Sequence, residues 1–142
     1  MSINPHVAFA DCPPLNFLFM PGGEGTHKEI DNPSLIQFVA RQAENCKAML
    51  SVCTGTFILH RAGLLSNKRA ATHWFSLPKL RELGDVEVVE ERVVRDGNIW
   101  TSAGVSVGID LALAFIEHIT DEKKRARFSL VPSITRPTGL MG

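Results

Sequence analysis

Cysteine, threonine and glycine residues occur near the middle of this chain in an order that suits nucleophilic chemistry. Cys53 follows the apolar run 48–52 and precedes Thr54, Gly55 and a second apolar segment, an order typical of a nucleophile at a strand-to-helix turn. A thiol at the start of a helix faces unpaired backbone N–H groups and the positive end of the helix dipole, which stabilise a thiolate. The same position also suits an inert buried cysteine.

Two further segments carry groups that could act together with Cys53. Gly22 and Gly23 follow a short apolar run, where glycines allow backbone N–H groups to approach a developing negative charge. One interpretation is an oxyanion hole formed by the N–H groups of Gly23 and Thr54, and the other is a tight turn. His73 could serve as the base or proton carrier for the thiol, or it could simply pack at a sheet edge.

The remaining reactive side chains favour simpler interpretations. Glu24 lies in the glycine loop and either reaches the pocket or is solvated. Cys12 and Cys46 are expected to be structural or incidental, because neither has a context that stabilises a thiolate. The other histidines show no ligand spacing, so we expect no metal site and no cofactor; these are His6, His27, His60 and His118.

Strand and helix signals alternate along the chain. The apolar runs 15–20 and 48–52 predict strands covered on both faces, and Asn32 followed by Pro33 predicts the start of a helix. This alternation favours an α/β fold with a doubly wound, flavodoxin-like, mostly parallel sheet and helices on both faces. Ligands of such sheets bind beyond the carboxyl ends of the strands, which is where the cysteine and glycine segments lie.

The second half of the chain predicts a hairpin and a long helix. The segment 86–101 predicts a small antiparallel hairpin with a turn at Asp96-Gly97. Residues 104–119 predict the clearest helix of the chain. Its apolar residues share one face, and they are Val105, Ile109, Ala112, Leu113 and Ile116.

Composition excludes several classes of protein. The 142 residues predict a single domain, 1–142, with a poorly patterned tail over 121–142. The formal charge of zero argues against a nucleic-acid partner. No apolar run is long enough to cross a bilayer and the first residues do not read as a signal peptide, so we expect a cytoplasmic protein. Three cysteines without a pairing or zinc pattern agree with a reducing compartment.

Several motifs together resemble the ThiJ/PfpI superfamily, which has the class I glutamine amidotransferase-like fold. The resemblance covers residues 15–119 in the order of the family. Its motifs are FLFMPGGEG (17–25), SVCTG (51–55), RAGLL (61–65), ATHW (71–74) and TSAGVSVGID (101–110). The pattern is most similar to the isonitrile hydratase branch and to the sensor domains of AraC-type regulators. The protease-like branch usually has histidine directly after the nucleophile, where this chain has Thr54.

The resemblance to the hydratase branch implies a role for each motif. It makes Cys53 the nucleophile and Thr54 its helper, and it places His73 near the pocket. The implied reaction is a lyase step that adds water to an isonitrile carbon and gives an N-substituted formamide. We predict four oxyanion- and substrate-binding residues, Gly22, Gly23, Glu24 and Gly55.

One departure from the family keeps other functions open. The family normally begins with a βαβ unit whose first loop carries an Asp or Glu that contacts the cysteine. This sequence is expected to lack that unit, so that Glu24 or a residue of another chain would have to replace the acid. The alternatives are a non-catalytic small-molecule-binding module, related to the AraC-type sensor domains, and a cysteine redox or stress sensor. The resemblance also implies a homodimer, and the zero net charge and the lack of a long apolar run predict no nucleic-acid or membrane partner.

Overall fold

A four-stranded sheet lies at the centre of the computed structural model, which describes residues 2–104 and 106–127 and the side chains up to residue 123. The strands are β1 (Phe17–Met20), β2 (Ala48–Val52), β3 (Arg69–Ala70), β4 (Glu87–Val88), β5 (Val93–Asp96) and β6 (Ile99–Ser102). The order across the main sheet is β1-β2-β6-β5. The first three strands of this order are parallel, and β5 pairs antiparallel with β6.

Helices cover both faces of this sheet. They are α1 (Thr26–Glu29), α2 (Pro33–Ala43), α3 (Gly55–Arg61), α4 (Leu77–Glu82) and α5 (Val107–Arg127), with 3-10 turns at Phe9–Asp11 and Trp74–Ser76. Met49 packs with residues of α2 and α3 on one face, whereas Leu50 packs with residues of α5 on the other. The predicted doubly wound, mostly parallel α/β class is therefore confirmed.

The two apolar runs that were predicted as fully covered strands differ in the structure. β2 is buried from Ala48 to Ser51, as predicted, because it lies between two neighbouring strands and between the two helix layers. The prediction for β1 is wrong, since Phe17 is 41% exposed and Phe19 48% exposed. β1 lies at the edge of the sheet, and within the described residues little packs over its second face.

The cap of α2 and the hairpin turn follow their short-range signals. The Asn32 side chain accepts a hydrogen bond from the backbone N–H of Ser34 at 3.1 Å, and Pro33 opens the helix, as predicted. The loop between β5 and β6 consists of Gly97 and Asn98, with Gly97 at φ +61°, as a tight hairpin of this length requires.

Only part of the segment 86–101 belongs to the hairpin. β4 pairs in parallel with β3, in a separate two-stranded sheet, so its predicted place in an antiparallel pair is wrong. The N–H groups of Glu87 and Val89 donate to the carbonyls of Lys68 and Ala70, each at 2.9 Å. A pairing partner distant in sequence therefore replaces the local one.

The long helix presents a different face to the core from the one that its apolar pattern predicts. Leu111, Ala114 and Phe115 of α5 are buried against the sheet. Ile109, Leu113 and Ile116 of the predicted apolar face are exposed, and Val105 lies outside the described residues. α5 has apolar side chains on opposite sides, so periodicity alone could not identify the buried one. The helix continues to Arg127, and residues 128–142 of the predicted tail lie outside the described residues.

An ion pair joins α3 to the loop that follows α4. His60 Nε2 lies 2.8 Å from Asp85 Oδ1, and the hydroxyl of Ser66 donates to Asp85 Oδ2 at 3.2 Å. The hydrogen bond from His60 is the main cause that holds the pKa of Asp85 below its ordinary value. The folded state therefore favours the ionised carboxylate of Asp85.

We predict that Asp85→Asn lowers the free energy of unfolding near neutral pH and that this difference from wild type disappears on acidification. A carboxylate with a lowered pKa contributes stability above its ordinary pKa of about 4, and this contribution is lost as the pH falls through the folded-state value. Urea unfolding at a series of pH values measures the difference. Asp11→Asn, at an exposed position, is the control and should show no such pH dependence. A constant difference for Asp85→Asn across the acid range would contradict the assignment.

Candidate active site

Cys53 occupies a strained backbone position at the junction of β2 and α3. Its φ is +56°, in the left-handed region that costs a residue other than glycine about 1–2 kcal/mol. Two hydrogen bonds hold the position: the Cys53 N–H donates to the Ser102 carbonyl at 3.0 Å, and the Thr72 hydroxyl donates to the Cys53 carbonyl at 2.9 Å. Strain that is held in place from both sides is typical of functional positions.

Two glycines bring the loop after β1 into direct contact with this turn. A Cβ atom on Gly22 would lie 2.8 Å from the backbone N of Thr54 and 2.9 Å from Cys53 Cβ. A Cβ atom on Gly55 would lie 2.6 Å from the Met20 carbonyl oxygen. All three distances are shorter than real Cβ contacts, so each segment requires glycine where it meets the other. The structure thus brings together the predicted residues Gly22, Cys53 and Gly55.

The hydroxyl of Thr54 fastens the glycine loop to the start of α3. The Gly23 N–H donates a hydrogen bond to Thr54 Oγ1 at 3.0 Å. The Thr54 hydroxyl in turn donates to Thr26 Oγ1 at 3.0 Å. Thr26 and Thr54 are both buried. The N–H of Gly23, which was predicted to face an oxyanion, is therefore engaged by Thr54 in this conformation. The Thr54 hydroxyl thus bonds to the loop, and its role as helper of Cys53 stays a prediction.

His73 lies at the same edge of the sheet as Cys53. It follows Thr72, whose hydroxyl bonds to the Cys53 carbonyl, and its ring packs next to Gly104, where a Cβ would lie 3.2 Å from His73 Cδ2. Gly104 comes shortly after the carboxyl end of β6, and β6 is the parallel neighbour of β2. His73 Nδ1 accepts a hydrogen bond from the backbone N–H of Phe75 at 3.3 Å. This bond leaves Nε2 as the ring nitrogen that can carry a proton to a ligand.

The thiol has no acidic partner in the part of the chain that the structure describes. Cys53 is partly exposed, and no described residue forms a hydrogen bond with its sulfur. Glu24 is exposed in the glycine loop, and its carboxylate forms no ion pair with any described residue. Glu24 follows Gly22, which contacts the turn, and no described contact joins the Glu24 side chain to Cys53.

Three residues that had no predicted role in the site, Thr72, Trp74 and Phe75, lie close to His73 in the chain. Thr72 holds the carbonyl of the strained residue. Trp74 is 70% exposed and Phe75 76% exposed, and their rings meet edge to face with centroids 5.6 Å apart. Adjacent aromatic residues directly after the candidate histidine were the available signal, since exposed aromatic side chains often mark a binding surface.

The other cysteines and the acidic groups do not form a second reactive centre. Cys46 is buried, and burial raises the pKa of its thiol. Cys12 donates its thiol hydrogen to the carbonyl of Pro13 at 3.4 Å. No group of three metal-binding side chains occurs among the described residues. No helix in the described ranges is long and apolar enough to cross a membrane.

A mostly parallel α/β sheet with a strained cysteine at a strand-to-helix turn defines a protein of the nucleophile-elbow class. Comparison with protein families narrows this class. The DJ-1/PfpI family matches residues 1–118, and the chain belongs to that family.

Individual relatives of the chain differ in function. It is 40% identical over 119 residues to isonitrile hydratase of Pseudomonas putida, an alignment that covers 84% of this chain and 52% of the hydratase. It is 31% identical over 117 residues to the HTH-type transcriptional regulator CdhR of Pseudomonas aeruginosa, covering 82% of this chain and 34% of the regulator. The chain thus spans about half or less of the length of these relatives.

A solved structure supports the same fold. A ThiJ/PfpI family protein from Pseudomonas syringae superposes with a TM-score of 0.78 at 33% sequence identity, over 98% of this chain and 60% of that protein. Family and fold are therefore established, whereas the relatives include both an enzyme and regulators.

We predict that Gly55→Ala lowers the free energy of unfolding by about 1–3 kcal/mol, because its Cβ would overlap a backbone oxygen that cannot move aside. The matched control is Gly25→Ala, where no atom lies within 4 Å of the added Cβ and the change should stay within about 0.5 kcal/mol. Equilibrium unfolding in urea compares the two variants. Equal stabilities would show that the glycine contact does not constrain the turn.

Proposed function

We propose that this chain performs cysteine-based chemistry on a small electrophilic molecule, with hydration of an isonitrile as the reaction. The observation that carries the proposal is Cys53 itself, a partly exposed thiol kept in a strained conformation at the carboxyl edge of a parallel sheet. A merely structural cysteine would gain nothing from the strain. The 40% identity to an isonitrile hydratase supports the choice of reaction.

The reaction divides into two steps that balance without a cofactor. The Cys53 thiolate attacks the terminal carbon of the isonitrile, a C–S bond forms and the same carbon takes up a proton, which gives a thioimidate. Water then adds to that carbon and the nitrogen is protonated. The C–S bond breaks, the water loses a proton, and an N-substituted formamide leaves with the thiolate restored.

The neighbouring groups suit the charges of these steps. The N–H groups of Thr54 and Gly55 precede the first backbone hydrogen bonds of α3, which run from Thr56 and Phe57. N–H groups at a helix start stabilise negative charge that develops near them. His73, at the same edge, is proposed as the proton carrier, and Gly22 and Gly23 with Glu24 form the side of the site that meets substrate.

We predict that Cys53→Ala abolishes formamide production from a simple isonitrile, because no other described thiol lies at the turn. Mass spectrometry after brief treatment with iodoacetamide should show that Cys53 reacts faster than Cys12 and Cys46, since Cys46 is buried and burial raises its thiol pKa. Cys12→Ala is the matched control and should retain full turnover.

The same assays separate the two candidate functions. Wild-type protein that binds an isonitrile without turning it over would favour a small-molecule-binding module. That second candidate is supported by the match to an HTH-type regulator and by the absence of an acidic partner for the thiol among the described residues. Equal labelling of all three cysteines in the folded protein would contradict an activated thiol.

We predict that His73→Ala lowers the turnover of an isonitrile by about 10²- to 10⁴-fold, the range expected when a proton carrier is lost. The variant should also lose the limb of the pH–rate profile that reports the imidazole. His6→Ala, at an exposed position, is the control and should leave rate and profile unchanged. If the pH profile of the variant has the same shape as that of wild type, whatever its turnover rate, His73 is not the group that transfers the proton.

A homodimer in the cytoplasm remains part of the proposal. Exposed apolar side chains support self-association, namely those of Phe19 on the edge strand and of Ile109, Leu113 and Ile116 on the outer face of α5. Sedimentation of the purified chain tests the dimer directly.

A further inference from the structure

A cavity lies at the opposite edge of the sheet from Cys53. Its volume is about 410 Å³, within the range of small-molecule sites. It is lined by Ala48, the first residue of β2, whereas Cys53 follows the last residue of that strand. Five strand residues separate the two places by roughly 16 Å, so a ligand in this cavity cannot reach the thiol.

Aromatic rings form the floor of this cavity. Phe115 of α5 meets Trp100 edge to face with centroids 5.5 Å apart, and it meets Phe17 in the same way at 4.9 Å. Phe17 remains 41% exposed, so its ring offers apolar surface that the described residues do not cover. A flat apolar ligand would find complementary surface here, since aromatic rings favour edge-to-face and offset contacts.

Positive charge surrounds this floor. The guanidinium of Arg95 lies 5.1 Å above the Trp100 ring, and its Nε–H donates to the Gly97 carbonyl at 3.1 Å. Lys47 and Lys123 also line the cavity. Among the described residues, none of these three cations forms an ion pair with a carboxylate.

The carboxylate among the lining residues that the structure describes is already engaged. Glu122 is the one carboxylate among the described lining residues, and its Oε1 lies 3.1 Å from Nε2 of His118, which lines the same cavity. Nη1 of Arg95 lies 3.5 Å from Nδ1 of the same His118, so the imidazole lies between Arg95 and Glu122. Lys47, Arg95 and Lys123 therefore line the cavity without a direct carboxylate partner among the described residues. An incoming anion would find cations without a carboxylate partner, which favours its binding over that of a neutral molecule.

We propose that this cavity is a second binding site, specific for a small aromatic carboxylate. The ring of the ligand packs against Phe17 and Phe115, and the carboxylate meets Lys47 and Arg95. The proposal does not rest on the chemistry assigned to Cys53, and it concerns a different edge of the sheet.

The two tryptophans of the chain allow a test that distinguishes the two edges. Trp100 lines this cavity, and Trp74 lies next to His73. In a ¹H–¹⁵N NMR spectrum, Trp74→Phe assigns the two indole signals. Titration of the wild-type chain with 4-methylbenzoate should shift the Trp100 signal saturably and leave the Trp74 signal in place. The neutral analogue 4-methylbenzyl alcohol should bind about tenfold more weakly, the loss expected when one charged contact is missing.

Variants of the rim identify the charges that matter. Lys47→Ala and Arg95→Ala should each weaken 4-methylbenzoate binding about tenfold, and Lys47 is exposed, so its substitution leaves the fold intact. Lys28→Ala removes an exposed cation of α1 and should bind as wild type. Equal affinity for acid and alcohol, binding that Lys47→Ala and Arg95→Ala leave unchanged, a shift of Trp74 instead of Trp100, or no saturable shift at millimolar ligand would each overturn the proposal.

Discussion

The close approach of two backbones, at Gly22 and Gly55, is the constraint on which the site depends. Each glycine occupies a place where a methyl group would overlap the other segment, so the carboxyl ends of β1 and β2 lie closer than side chains would allow. Thr54 then joins the two segments through the N–H of Gly23. On the other side, the backbone of Cys53 is held by its hydrogen bonds with Ser102 and Thr72.

Short-range signals in the sequence were sufficient for several elements. The cap at Asn32 and the turn at Gly97 depend on one or two residues and their own backbone angles. The order of motifs also brought Cys53 and the glycine loop to one edge, because parallel strands end at the same side of a sheet. These parts of the fold and of the candidate site could be predicted from the sequence.

The remaining parts depended on contacts between distant segments. Whether Phe19 or Ile109 is buried depends on which segment packs over it. The apolar character of a residue does not show which distant segment will cover it. β4 pairs with β3, and the local sequence of neither strand predicts this pairing. The resemblance implied that Thr54 is a helper of the cysteine, whereas the bond of its hydroxyl to the glycine loop depends on a segment distant in sequence. The direction of a side chain at a tight turn depends on the segment that packs against the turn, which here is the glycine loop after β1.

At position 53, where the backbone is left-handed, the stability of the fold and the proposed reactivity of the thiol favour different residues. Glycine would adopt the same backbone angle without strain, so the fold itself would favour a residue with no side chain there. Redesign of this chain for thermal resistance alone would therefore replace position 53 first, and it would discard the sulfur in doing so. Any engineered version that keeps the thiol must find its added stability elsewhere, at positions remote from this turn.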